Sequence, residues 1–173
     1  MKIFKNLSPG RIIVLGFFSV IVIGTILLKL PISIREGVTV SWVDALFTST
    51  SAVCVTGLIA IDTADTFTVF GRAVVALLIQ VGGLGVTSVG VGFILLMRKK
   101  VGIKERVLIK ESMNLDTMKG LVKLVKSVLL VTLSFEVVGA ILSYLVFSKD
   151  YSPLDALGIS VFHSIAAFNL SLI

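Results

Sequence analysis

The sequence predicts an all-α integral membrane fold with three transmembrane helices and two shorter re-entrant helices. Three observations carry that prediction. Hydrophobic residues make up 56% of the 173 positions and charged residues 15%, with a mean hydropathy of +1.08. Soluble domains run at about 45–50% apolar and about 25% charged. Three apolar stretches each approach or exceed the roughly 20 residues that cross about 30 Å of hydrocarbon. A short motif, S-x-x-D-A-L, also recurs after two of those stretches.

The first apolar stretch runs from Ile12 to Leu28 and is closed by Lys29 and Pro31. It is too long for the apolar core of a cleaved signal peptide, and no small-residue cleavage site follows it. The second runs from Ala73 to Met97. The third runs from Leu121 to Phe147, with its most apolar part starting near Val128. Two shorter segments, Trp42–Val55 and Leu154–Leu170, follow polar stretches. Their length fits re-entrant or buried segments better than spans.

Basic residues set the orientation. Lys2, Lys5 and Arg11 precede the first span, and nine more lie from Arg98 to Lys126, so these two regions hold twelve of the sixteen. The positive-inside rule places both in the cytoplasm. The segment from Pro31 to Phe70, with Glu36, Asp44, Asp62 and Asp65, then faces outside. The net charge of +6 is a topology signal and a contact for lipid headgroups. It does not indicate nucleic acid, because the basic residues flank apolar runs rather than forming a face with aromatics.

The repeat gives the layout its logic. Ser41-Trp-Val-Asp44-Ala-Leu46 opens one short segment and Ser152-Pro-Leu-Asp155-Ala-Leu157 opens the other. Each serine is a candidate N-cap, and each aspartate supports a first helical turn. After Trp42–Ala52, the stretch Val53-Cys54-Val55-Thr56-Gly57-Leu58 reads as non-helical. Non-helical backbone at membrane depth is tolerated only inside protein or along a wet cavity. A dehydrated cation needs replacement oxygens, which backbone carbonyls supply. Gly57 lacks a Cβ and adopts φ > 0 readily, which frees neighbouring carbonyls to turn toward one axis. Thr56 adds a hydroxyl oxygen, and the C-terminal end of a short helix adds favourable partial charge.

Several motifs in order resemble one family. They are Leu30-Pro-Ile-Ser33, Trp42–Thr48, Ser51–Leu58, Phe67–Gly71, Leu78–Gly85 and Lys104-Glu-Arg106. Together they resemble the membrane subunits of bacterial Ktr potassium transporters, within the Trk/Ktr/HKT superfamily. The resemblance implies a potassium-channel-like fold of helix–pore loop–helix repeats around one pore, in which the two short segments are pore helices. Residues 1–97 would form the first repeat, 98–118 a cytoplasmic loop and 119–173 the start of a second repeat. It implies that Val53, Cys54, Val55, Thr56 and Gly57 form an ion-binding filter strand, with Gly57 as the filter glycine. Some sodium-selective relatives carry serine there. The implied ion is potassium, with sodium as coupling ion, and no covalently bound cofactor or further metal. The implied partners are membrane lipid, a second copy in a homodimer, and a cytoplasmic nucleotide-binding regulatory subunit (KtrA-like) docked on the Arg98–Lys126 region. The implied location is the bacterial inner (plasma) membrane, multi-pass, with the N-terminus cytoplasmic.

Two departures qualify the resemblance. The sequence reads as one complete repeat and the opening of a second, truncated within the second pore segment. The family's second filter resembles A-A-F-N-N-A-G-F, whereas this chain reads Ala166-Ala-Phe-Asn169-Leu-Ser-Leu172-Ile, with Leu172 at the glycine position. A non-conducting truncated fragment is therefore one competing reading. A structural membrane interaction protein is another, although it leaves the V-T-G-L segment and its repeat unexplained.

The remaining conspicuous residues have plainer readings. The run Gly82-Gly83-Leu84-Gly85, with Gly90 and Gly92, reads as close helix packing rather than a phosphate loop. Glu136 lies mid-span and reads as a carboxylate hydrogen-bonded within the bundle, ahead of an ion ligand. His163 has no second ligand at metal spacing and reads as packing or a helix hydrogen bond. Cys54, the one cysteine, excludes an internal disulfide and reads as a small buried residue. The outer aspartates are not paired with a histidine or cysteine, so no enzyme constellation emerges.

Overall fold

The computed structural model describes residues 8–97, 101–117 and 119–170. Helix α1 spans Pro9–Lys29, with proline in its first turn, where a missing N–H costs nothing. Leu30 is extended because Pro31 follows it, and that ends the helix. A single 3₁₀ turn, Pro31–Ser33, folds back, and the buried Ser33 hydroxyl donates to Leu27 O at 2.6 Å. Beyond it the chain runs alongside the segment at Phe67. Arg35 N donates to Thr66 O and Thr68 N donates to Ser33 O, both at 3.0 Å. Phe67 is fully buried beneath this crossing.

Helix α2 spans Trp42–Cys54 and starts in a capping box. The Ser41 hydroxyl accepts from Asp44 N at 3.0 Å, and the Asp44 carboxylate accepts from Ser41 N at 3.2 Å. A short helix α3, Thr63–Thr66, is capped by Asp62 and was not expected. Helix α4, Val69–Leu84, is capped by the Thr68 hydroxyl.

The expected second span, Ala73–Met97, is not one rod. It breaks at Gly85 into α4 and α5, Val86–Leu96, which meet at a bend of 99°. Gly85 has φ +78°, a region that L side chains avoid, so the glycine run ends one helix and starts another.

Helix α6, Ile103–Ser112, lies inside the segment expected to be a loop. Helix α7 spans Leu121–Phe147, matching the third expected span, and starts after Gly120 at φ +76°. Helix α8 spans Pro153–Leu170. Its Ser152 hydroxyl bonds the Asp155 carboxylate at 2.7 Å, in partial imitation of Ser41 and Asp44. Lys2, Lys5, Arg98–Lys100 and Leu172 lie outside the described residues.

Among the described residues two helices, α1 and α7, are long and apolar enough to cross a membrane, and three if the bent α4–α5 pair is one span. At about 1.5 Å per residue they measure about 32 and 40 Å. Only 17% of the most apolar stretch of α1 and 11% of that of α7 are buried. Their outward residues, among them Phe18, Ile23, Leu133 and Leu142, therefore suit lipid rather than water. The core lies among α1, α2 and α4, built on Leu28, Ala45, Val53, Phe67, Val75 and Leu78. A smaller cluster, Val91, Val101, Ile109, Leu121 and Val125, joins α5, α6 and α7.

Two helical hairpins repeat one packing device. In α1–α2 the buried Ser49 hydroxyl donates to Ile21 O at 2.8 Å, and Gly24 leaves room for it. In α7–α8 the buried Ser164 hydroxyl donates to Glu136 O at 2.7 Å, and Gly139 leaves room. In each hairpin the glycine stands three residues after the accepting carbonyl.

Candidate functional site

The residues expected to form a site lie at the C-terminal end of α2 and in the loop after it. Helix α2 continues through Val53 and Cys54, two residues further than the sequence suggested. Val53 explains this. It is 1% exposed, packed in the core, and its carbonyl lies against Gly82, where any Cβ would collide. The helix stops at Val55, at φ 55° and ψ 35°. Thr56 N then reaches back to Ser51 O at 3.0 Å, closing a Schellman-type turn. Glycine usually takes this left-handed position, so a β-branched residue there is a genuine outlier. Gly57 follows at φ +68°. Two left-handed centres flanking Thr56 thus turn the chain sharply at the helix terminus.

Ser51 clasps the loop from behind. Its hydroxyl donates to Leu58 O at 2.7 Å and accepts from the Thr56 hydroxyl at 3.0 Å. The Thr56 hydroxyl proton is therefore committed to α2. Both halves of the turn are tied to one buried side chain, itself 9% exposed. The five expected site residues form a continuous strip. Val53 and Val55 are buried, while Cys54, Thr56 and Gly57 are exposed. The exposure of Cys54 corrects the expectation that it is buried: in the last turn of α2 the neighbouring Val53 takes the core-facing position.

A cavity of about 360 Å³ lies against this strip, lined by Phe17, Val53, Cys54, Val55, Gly82, Gly83 and Asn169. The two glycines justify the close-packing reading. A Cβ on Gly82 would strike the Val53 carbonyl, and one on Gly83 would strike the Asn169 amide. Gly92 packs similarly against Leu129, whereas Gly85 and Gly90 face open space. Gly85 serves the bend instead, and nothing in the structure explains Gly90.

Beside the cavity sits a polar cluster drawn from three helices. Gln80 Nε2 donates to Glu136 Oε2 at 3.0 Å. Asn169 Nδ2 donates to Gln80 Oε1 at 3.2 Å, to Glu136 Oε1 at 3.4 Å and to Ile165 O at 2.9 Å. Glu136 and Asn169 are 7% and 4% exposed. Glu136 is thus held within the bundle, as expected. Gln80 and Asn169 were missed as its partners, though each is an amide in an apolar helix. His163 packs edge-on against Phe147, with ring centroids 5.8 Å apart. Among the described residues no group of three or more His, Cys, Asp or Glu is placed to hold a metal ion.

The TrkH family, described as cation transport proteins, matches residues 7–171. The chain belongs to the TrkH family. Its relatives agree. It is 43% identical to the Ktr system potassium uptake protein B of Bacillus subtilis over 94% of this chain and 36% of that protein. It is 36% identical to the potassium/sodium uptake protein NtpJ of Enterococcus hirae, over 96% of this chain and 37% of that one. A third relative, the Ktr system potassium uptake protein D of B. subtilis, is 40% identical over 82% of this chain and 31% of its own length. The chain spans about a third of the length of these curated relatives. TrkH-family members are transport proteins and not enzymes, and the membrane-capable helices place this one in a membrane.

Proposed function

We propose that the chain contributes a cation-selective loop to a potassium-uptake pathway across the bacterial plasma membrane. The observation that carries this reading is the left-handed turn of Val55 and Gly57 at the end of the capped helix α2, clasped by Ser51. Carbonyls of Val53 to Gly57 would replace part of a potassium ion's hydration shell, and the C-terminal partial charge of α2 would favour the ion. Transport is then passive conduction with no covalent step. The loop is one of several around a shared pathway, with residues 1–97 as one helix–pore–helix unit, 98–118 a cytoplasmic connection and 119–173 the opening of a second unit. The paired serine–glycine contacts of α1–α2 and α7–α8 support that repeat.

The same reading puts the N-terminus and residues 98–126 in the cytoplasm. There the exposed Lys104 and Arg106 of α6 offer a basic surface to a nucleotide-binding regulatory subunit. Sodium as coupling ion and a homodimer complete the proposal as the family resemblance implies them, and the Ktr system names of two relatives support a membrane subunit that works with other components.

The test is growth and rubidium uptake in a host without its own potassium uptake. The chain is expressed with the regulatory subunit, beside Gly57→Ser. Uptake is expected to favour potassium over sodium, and Gly57→Ser to reduce that preference. Uptake with an ion preference indifferent to Gly57→Ser would remove this loop from the filter. No uptake, with protein present in the membrane, would mean that this chain by itself does not build a working pore.

A further inference from the structure

A second cavity lies where α4 and α8 begin. It measures about 460 Å³ and is lined by Arg35, Arg72, Asp65, Asp155, Tyr151 and Phe162 among others. It continues into a groove of about 520 Å³ between the two helices, because Arg72, Asp155 and Phe162 line both. The groove walls are apolar: Ala76 and Leu77 of α4 face Leu157 and Val161 of α8, and Gln80 closes the deep end. Each volume falls in the roughly 300–1,000 Å³ range of small-molecule sites.

We propose that this pair of cavities binds one phospholipid of the phosphatidylethanolamine class, headgroup in the first and an acyl chain in the second. Exposed Trp42 and Tyr151 sit at this end of the helices, where amphipathic aromatics favour the membrane–water interface. The charges are complementary. Two guanidinium groups match a phosphate diester, for which arginine's planar fork is suited. Arg72 Nε is buried without a hydrogen-bond partner and Arg35 Nε donates to Phe67 O at 3.3 Å, so the terminal nitrogens of both groups are the ones that would meet the phosphate. Asp65 and Asp155 match the primary ammonium. Phosphatidylglycerol brings no ammonium to the two carboxylates, and a choline headgroup has no N–H to donate to them.

The apolar groove argues against a free phosphate or phosphoethanolamine, because it would remain open beneath the headgroup. Leu77 and Leu154, on its rim, are 65% and 83% exposed, so a chain can enter from the bilayer. Reaching Gln80, that chain would shield the Gln80–Glu136–Asn169 cluster from this side.

The inference rests on the chain spanning the membrane and not on ion conduction, so failure of the uptake experiment leaves it standing. The test is native mass spectrometry of the detergent-purified chain after passage through nanodiscs of phosphatidylethanolamine, phosphatidylglycerol or phosphatidylcholine. One retained phosphatidylethanolamine per chain is expected, at about ten times the retention of the other two. Arg72→Gln is expected to abolish that preference. Arg35→Gln, at an exposed position, gives a second variant should Arg72→Gln fail to reach the native helicity. Asp155→Asn is expected to raise phosphatidylglycerol to the level of phosphatidylethanolamine. Equal retention of all three lipids by the unaltered chain would overturn the assignment. So would unchanged retention in natively helical Arg72→Gln or Arg35→Gln.

Discussion

Val55 holds the left-handed conformation that glycine would hold at little cost, at an expense of about 1–2 kcal/mol for a residue with a Cβ. Ser51 supplies the compensation, since its hydroxyl bonds both flanks of the turn. Ser51→Ala removes two hydrogen bonds worth about 1 kcal/mol each. The expected outcome is faster amide exchange at Thr56 to Leu58 with little change at Ala45, read by hydrogen exchange in detergent. Uniform exchange across α2 would show that the helix, and not the serine, holds the loop. The positive φ of Gly57 was legible in the sequence, because a glycine beside a threonine at the end of a short apolar segment marks a backbone that has to turn. The strained Val55 was not, because nothing in a valine's identity announces a positive φ.

The Gln80–Glu136–Asn169 cluster belongs to the same scale. Glu136→Leu takes the acceptor from Gln80 Nε2 and one of three acceptors from Asn169 Nδ2, and intramembrane hydrogen bonds are worth about 0.6–2 kcal/mol each. Glu136→Gln retains an acceptor oxygen and should lose about half as much. Thermal unfolding in detergent is expected to rank the unaltered chain above Glu136→Gln and Glu136→Gln above Glu136→Leu. Equal midpoints would mean that the cluster does not hold the three helices together.

At the scale of elements, helices α1 and α7 were readable within a few residues because a long, predominantly apolar run satisfies its backbone in a bilayer only as a helix. The caps of α2 and α8 were readable from their shared serine and aspartate. The bend between α4 and α5 was not. Glycines in a span signal close approach and a break equally well, and here Gly82 and Gly83 do the first while Gly85 does the second. Gly85→Ala tests that division. It places a Cβ in open space but at φ +78° and ψ 137°, a region held almost only by glycine, so the expected loss is about 1–3 kcal/mol from conformation alone. Spin labels at Leu77 and Phe93 should report a wider α4–α5 angle, and an unchanged distance with unchanged stability would show that the bend does not depend on glycine.

For the whole molecule, topology is the property most open to a direct check. In a Cys54→Ser background, Glu36→Cys is expected to react with a membrane-impermeant maleimide in intact cells, and Lys104→Cys only after permeabilisation. Both positions are exposed. The reverse pattern would invert the orientation and place the headgroup site in the inner leaflet.

The sequence by itself determined that the chain is helical and lies in a membrane, which segments are longest, where two helices are capped, and which family it belongs to. Those properties depend on hydropathy, local hydrogen bonding and the order of motifs, all of which are linear. The tertiary structure decided where α2 stops, that Cys54 faces outward, that α4 and α5 part at Gly85, and that Gln80 and Asn169 converge on Glu136. Each depends on which residue lies opposite in space: Val53 on Gly82, or an amide of α8 on a carboxylate of α7. A one-dimensional pattern cannot specify such pairings, because different helix rotations satisfy the same apolar run and packing against neighbours selects among them.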